Sequence, residues 1–310
     1  MTQSTDRIRI GTRGSPLALR QAEIVRDLLA KAHGLELAAF EIVALKTTGD
    51  RVLDRPLADA GGKGLFTKEI DEALLTKRVD LGVHSAKDVP TFLPDGIVLA
   101  AYPEREDPRD VLVAGREISL AELPKGAVVG TSSVRRQALV LRARPDVTIK
   151  LLRGNVGTRL DKVTRGEFDA AVLAAAGMRR LGILAQQAHT PLDPITFPPS
   201  VGQGAIGIAI RADDTRTAQI VGKINDAPTA VALLAERAFL AALDGSCRAP
   251  IGGHARIEGD RIYFSGLLIS PDGTNAAETT REGYVADAEA LGADAGRELR
   301  ARAPAGVLDA

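Results

Sequence analysis

Between Val83 and Pro90 the chain sets a hydroxyl (Ser85), an ammonium (Lys87) and a carboxylate (Asp88) within four residues. Val79 to His84 has the character of a short strand, so these groups fall at a strand's carboxyl end, where open α/β sheets bind ligands. Asp88 suits catalysis there, and it equally suits a turn before Val89-Pro90. Three other stretches join small polar residues to arginine: Gly11-Thr12-Arg13-Gly14-Ser15-Pro16, Gly130-Thr131-Ser132-Ser133-Val134-Arg135-Arg136 and Leu152-Arg153-Gly154-Asn155-Val156-Gly157-Thr158-Arg159. Each reads as a strand running into a helix, whose first N–H groups and partial positive charge lie beside a planar guanidinium fork. Each could bind an anion, and each could be ordinary N-capping by Ser15, Ser133 or Asn155. Three together favour a poly-anionic ligand. Cys247, the sole cysteine, sits in the loop Gly245-Ser246-Cys247-Arg248-Ala249-Pro250. It is either a small buried apolar group or a nucleophile whose thiolate Arg248 would favour.

Other chemistries are excluded or disfavoured. No Walker-type phosphate loop occurs, and Gly202-Gln203-Gly204-Ala205-Ile206-Gly207 matches G-x-G-x-x-G in the wrong place, after a Pro-rich loop and running into a strand. The four histidines, His33, His84, His189 and His254, lack metal-ligand spacing, so no metal site is expected. One cysteine rules out internal disulfides and multi-cysteine clusters. With 40 basic and 40 acidic residues the formal charge is zero, which gives no reason to expect nucleic-acid or membrane partners. The polar start and the absence of long apolar runs lead us to expect a cytoplasmic protein. The neutral total hides a local asymmetry, because residues 131–180 carry eleven basic residues against four acids. Most surface arginines are simply solvated, so position must decide which of these bind a ligand.

The elements that position these groups alternate strand and helix, which argues for an α/β fold with largely parallel strands. Ser15-Pro16 opens a helix reaching about His33, and strands are expected at 7–11, 37–45, 79–84, 110–114, 127–130, 147–152, 169–173 and 205–211. Helices are expected near 66–78, 133–143, 155–166, 174–181, 214–225 and 229–243. Residues 252–281 change to short strands with turns, followed by a helix from 287 to about 302, which suggests a small α+β domain. Ten aromatics and no tryptophan imply an aliphatic core.

Taken together, these stretches are similar to those of the porphobilinogen deaminase (hydroxymethylbilane synthase) family. The resemblance extends through Gly61-Gly62-Lys63-Gly64-Leu65-Phe66, Arg105-Glu106-Asp107-Pro108-Arg109-Asp110, Val201-Gly202-Gln203-Gly204-Ala205 and the Cys247 to Gly252 loop, in the family's order and over residues 7 to about 255. It implies a transferase that joins four porphobilinogen molecules head to tail, loses one ammonia per unit and releases hydroxymethylbilane with water. It also implies a dipyrromethane cofactor held by a thioether to Cys247. By motif position the cofactor's carboxylates would meet Ser85, Lys87, Thr131, Ser132, Ser133, Arg135, Arg136 and Asn155. Substrate would meet Arg13, Ser15, Lys63, Arg153, Arg159, Arg180 and Gln203. Asp88 would be catalytic, stabilising the cation that forms as ammonia leaves and helping to move protons.

The implied architecture is two periplasmic-binding-protein-like α/β lobes plus a small C-terminal α+β domain. Domain 1 would take residues 1–102 and 200–225, domain 2 residues 103–199, and domain 3, bearing the cysteine loop, residues 226–310. The partners expected are porphobilinogen and the growing polypyrrole chain, with no nucleic acid, no membrane and a monomeric state. A non-catalytic bilobed binder of small poly-carboxylates is the alternative, and it has no use for Cys247. A ligand-sensing regulator lacks support, since no DNA-binding helix-turn-helix segment is evident.

Overall fold

Ser15 caps the first helix as its sequence suggests: its side chain accepts the Ala18 N–H at 3.3 Å, and Pro16 takes the first helical position. The computed structural model describes residues 7–48, 64–243, 249–303 and 307–308; Lys63 and Cys247 lie outside the described residues. These residues gather in two compact units, one holding 7–48, 64–105 and 205–230, the other 106–204 and the residues from 231 onward.

The first unit opens with β1 (Ile8–Arg13), α1 (Pro16–His33), β2 (Phe40–Leu45), α2 (Lys68–Leu75), β3 (Leu81–Ser85) and β4 (Ile97–Ala101). α1 buries Ala18, Ala22, Val25 and Leu29, one face at helical spacing, and ends at Gly34, whose left-handed φ of 61° lets its N–H close on Ala30 and Lys31. The chain then enters the second unit with β5 (Asp110–Val113), β6 (Val128–Thr131), α3 (Val134–Ala143), β7 (Thr148–Leu151), α4 (Val156–Thr164), β8 (Ala170–Ala174), α5 (Ala175–Arg180) and β9 (His189–Pro191). It returns to the first with β10 (Ile206–Arg211) and α6 (Thr215–Gly222), and α7 (Ala227–Ala242) leads out again. The last part is a three-stranded sheet, β11 (Ile251–Glu258), β12 (Arg261–Ile269) and β13 (Ala276–Tyr284), followed by α8 (Ala288–Ala301).

The two larger sheets follow one plan. In the first, with order β2-β1-β3-β10-β4, the parallel trio β2-β1-β3 is joined to β4 through β10, which runs antiparallel to both its neighbours. In the second, with order β7-β6-β8-β5-β9, β5 plays the same part between β8 and β9. The antiparallel strand in each sheet is the first strand after the chain enters that unit from the other. Its beginning therefore lies at the carboxyl end of the parallel trio, where β-α-β sheets present ligand groups. Ile206 pairs with Ser85, and Asp110 pairs with Ala174. Largely parallel strands were expected, and four of five in each sheet do share a direction.

Side chains of the second sheet alternate between two cores, as a sheet covered on both faces requires. Val111 and Val113 pack with Leu152, Phe168 and Met178, while Leu112 packs with Val129, Leu139 and Val172. The C-terminal strand β12 adds Leu267 and Ile269 to that second core, while its own sheet packs on α7 and α8 around Phe239, whose ring lies 4.9 Å from that of Phe264. The turn after β12 docks on α3: Gln137 Nε2 donates to Pro271 O at 3.3 Å, and a Cβ on Gly273 would stand 2.5 Å from the Ala138 carbonyl oxygen. Only glycine fits there, at a φ of 78°. α3 thus has a strand at its start and the C-terminal hairpin against its side. No helix among the described residues is long and apolar enough to cross a membrane.

Candidate active site

In the first unit the candidate groups converge on the carboxyl ends of β1 and β3, which are adjacent and parallel. Arg13 ends β1; its guanidinium lies 4.0 Å over the Phe66 ring, and Nη1 is 3.7 Å from Asp88 Oδ2. Asp88 closes a single 3₁₀ turn (Ala86–Asp88) that follows β3 directly, pinned by Ala86 N–H donating to Ala205 O at 3.0 Å and Val89 N–H donating to Ala86 O at 3.2 Å. Its side chain is 31% exposed, so it is reachable from solvent while partly shielded. Lys87 shares this turn, and Ser85 exchanges hydrogen bonds with the buried Gln21 amide, at 3.0 and 3.1 Å. The structure therefore brings Arg13, Ser15, Ser85, Lys87 and Asp88 to one sheet edge. His84 stays inside the sheet: burial, with Arg13 adding to it, pushes its pKa down to about 4, so it is neutral near pH 7.

The second unit repeats this arrangement. Ser133 caps α3, accepting Arg136 N–H at 3.4 Å, and Thr131 Oγ1 accepts the Ser133 N–H at 3.1 Å, with Ser132 between them. Asn155 caps α4, its Oδ1 accepting the Thr158 N–H at 2.9 Å and the Thr158 hydroxyl at 3.1 Å. Capping is thus present at all three junctions, and it does not compete with anion binding. A cap uses a side-chain oxygen as acceptor, whereas a carboxylate ligand needs the donors that remain: the Ser15 and Ser133 hydroxyl protons and the Asn155 NH₂. Arg153 and Arg159 flank Asn155, and Arg159 Nε donates to Gly154 O at 2.9 Å. Arg180 ends α5 and donates to Gly204 O at 2.6 Å; burial pushes its pKa down to about 10, with Glu106 opposing, so it keeps its charge. Gly204 itself has a φ of 87°, and a Cβ there would lie 2.3 Å from the Glu106 carbonyl oxygen. Gly202 to Gly204 forms a turn that runs into β10, not into a helix, in keeping with the rejection of a dinucleotide fingerprint.

Arg135 and Arg136 meet a residue that had been given no role. Asp110, wholly buried, places Oδ2 2.7 Å from Arg135 Nη2 and Oδ1 2.7 Å from Arg136 Nη2, and the Gln203 amide donates to Oδ1 at 2.8 Å. Burial by itself would push the Asp110 carboxyl up, but the charges of Arg135 and Arg136 and their hydrogen bonds outweigh it and hold the group well below the usual carboxylate range. An unfolded aspartate titrates near about 3.9, so this carboxylate stabilises the fold above that pH and stops doing so as pH falls toward its folded value. In urea unfolding, Asp110→Asn is expected to be about 3–5 kcal/mol less stable than the native protein above pH 5, with the gap closing steadily below about pH 4. A gap that ignores pH would show that the carboxylate charge is not what stabilises.

The donor set fits a ligand carrying several carboxylates. Among the described residues the buried Arg135 Nε–H meets no hydrogen-bond acceptor, and a carboxylate oxygen would satisfy it. Comparison with known proteins agrees. Residues 8–219 match the porphobilinogen deaminase, dipyrromethane cofactor binding domain, and residues 230–301 match the porphobilinogen deaminase C-terminal domain. The porphobilinogen deaminase of Nitrobacter hamburgensis is 60% identical over 294 residues, covering 95% of this chain and 93% of its own. That of Paracoccus denitrificans is 51% identical over 312 residues, covering 100% of this chain and 99% of its own. Among solved structures, the second substrate-binding domain of Lactococcus lactis GlnP aligns with 78% of this chain and 92% of its own at 14% identity and a TM-score of 0.42. With both family domains matched in order and relatives aligned along nearly the whole length, the chain belongs to the porphobilinogen deaminase family.

Proposed function

We propose that this chain condenses porphobilinogen stepwise, head to tail, with Asp88 as its catalytic carboxylate and Cys247 as the attachment point of the dipyrromethane cofactor. What carries the reading is the match of residues 8–219 to a dipyrromethane-binding domain in which Asp88 and Arg13 stand paired at the sheet edge. In each addition the substrate's aminomethyl C–N bond breaks, a C–C bond forms to the chain end, and the proton lost from the attacked pyrrole carbon leaves with ammonia. Asp88 lies where it can offset the positive charge that develops as the amine departs, and it can relay that proton. Arg13 beside it pairs with the carboxylate and orients it. Ser15, Ser85 and Lys87 around it supply donors for substrate and cofactor carboxylates, and we place Lys63 with them.

The second unit supports the same reading with the donors already described. Thr131, Ser132, Ser133, Arg135, Arg136 and Asn155 would hold carboxylates of the cofactor, and Arg153, Arg159, Arg180 and Gln203 those of the substrate units. When bound, the cofactor supplies the nucleophilic pyrrole end from which the chain grows. Multiple fixed donors along a poly-anionic chain orient it with covalent bonding at its anchor alone. We further propose the three-domain division at residues 1–102 with 200–225, 103–199 and 226–310, a monomeric state and a cytoplasmic location. Incubation with porphobilinogen is expected to release one ammonia per molecule consumed and to yield a linear tetrapyrrole by mass spectrometry. Binding of porphobilinogen without ammonia release would instead favour a non-catalytic binder.

A further inference from the structure

We infer that Asp110 is a positioning residue for the carboxylate-binding pair Arg135 and Arg136, fixing which guanidinium edges face a ligand; the inference rests on the cofactor-binding role proposed above for that pair. Asp110 cannot touch a ligand itself, since none of its surface is exposed. Its effect must pass through the arginines.

Four observations point the same way. First, Arg135 and Arg136 occupy the first turn of α3, which has no acid of its own, so both cations sit at the positive end of the helix dipole. Two adjacent buried cations at that end need an anion brought from elsewhere, and Asp110 comes from β5, twenty-five residues away. Second, the carboxylate divides its oxygens: Oδ2 takes Arg135 Nη2, while Oδ1 takes Arg136 Nη2 at 2.7 Å and Arg136 Nε at 3.1 Å. Third, main-chain carbonyls take the outer nitrogens, Pro198 O accepting from Arg135 Nη1 at 2.6 Å and Val172 O from Arg136 Nη1 at 3.0 Å. Through these contacts the described residues engage every nitrogen of Arg136 and all of Arg135 except Nε. Fourth, Asp110 is itself fixed. Gln203 Nε2 bonds both its Oδ1 and Pro108 O, at 2.8 and 2.7 Å, and its backbone carbonyl accepts the Leu192 N–H at 2.9 Å. Planar guanidinium forks bind carboxylates directionally, so a rigid anion behind them sets the direction in which the remaining N–H groups point.

Asparagine in place of Asp110 keeps the shape but offers one acceptor where two guanidiniums need one each, and turns an NH₂ donor toward the other. Asp110→Glu keeps the charge and moves it by one methylene. The test measures, by intact mass, the fraction of each purified protein carrying the dipyrromethane adduct, at a temperature where near-UV circular dichroism shows native packing. A parallel readout is the ¹⁵Nε–¹H NMR signals of Arg135 and Arg136. Asp110→Asn is expected to carry about tenfold less adduct, with both Nε–H signals broadened while the rest of the amide spectrum stays native; Asp110→Glu is expected to fall between the two. Should Asp110→Asn fail to fold, Asp110→Glu decides the question. Native-like loading in every folded variant beside a loaded wild type would overturn this inference alone, whereas a wild type without adduct would overturn the functional reading and this inference with it.

Discussion

Asp88→Asn is expected to retain its covalent adduct and to lose turnover by about 10²–10³-fold, the scale set by removing one preorganised charge-stabilising group. The substitution is nearly isosteric, and the turn that holds residue 88 is fastened through backbone atoms of Ala86, Val89 and Ala205, so the fold has no reason to change. Two electrostatic effects then act in the same direction. The carboxylate proposed to offset the cation formed on the substrate as ammonia departs is gone, and Arg13, whose Nη1 lies 3.7 Å from Asp88 Oδ2, loses that ion pair. Ammonia release per adduct-bearing enzyme measures the outcome. A rate within tenfold of wild type would remove Asp88 from the chemistry and leave it as a former of the turn before Val89-Pro90.

Cys247→Ala is expected to abolish both the adduct and turnover. A thioether needs a sulfur nucleophile, and the chain has no second cysteine to substitute. Cys247 lies outside the described residues, but the chain is anchored on both sides of it: Leu243 and Ala249 are buried in the C-terminal core around Phe239 and Ile251. Intact mass of the wild-type protein should exceed the sequence mass by one dipyrromethane unit, and the variant should match its sequence. An adduct surviving in Cys247→Ala would place the attachment elsewhere. Asp88→Asn and Cys247→Ala thus separate anchoring from chemistry, since one keeps the adduct without the rate and the other loses both.

Much of the fold was legible because its signals are local. α1 runs from Pro16 to His33 as its cap, proline and apolar spacing indicate, and α3, α4 and α6 start beside Ser133, Asn155 and Asp214. Caps and periodicity involve residues three or four apart, so they are written in short stretches of chain. Two strands were not foreseen. β4 is a short apolar run at the edge of its sheet, and β9 is three residues ending in Pro191, tolerated because an edge strand need not donate on its outer side. Residues 37–39, expected as strand, make a 3₁₀ turn before β2. The insertion of β5 and β10 against the direction of their sheets was also illegible, because pairing between strands as far apart in sequence as Asp110 and Ala174 or Ser85 and Ile206 leaves no mark on either strand alone.

The candidate site divides in the same way. Its donors were legible, since glycine, hydroxyls and arginine at a strand-to-helix junction make an anion site by local geometry. The sequence by itself determined those junctions, the lone thiol and the absence of a Walker-type loop. It also showed a local excess of positive charge in residues 131–180, but only the tertiary structure decided how much of that charge faces a ligand. Asp110 neutralises part of the Arg135 and Arg136 pair, Glu278 pairs with Arg142, and Glu106 pairs with Arg179, each acid arriving from outside the segment. Coulomb interactions follow distance in space, and a count along the chain cannot see which carboxylate will lie 2.7 Å from which guanidinium. The chain's order specifies the groups that can hold an anion; folding selects which of them are already held.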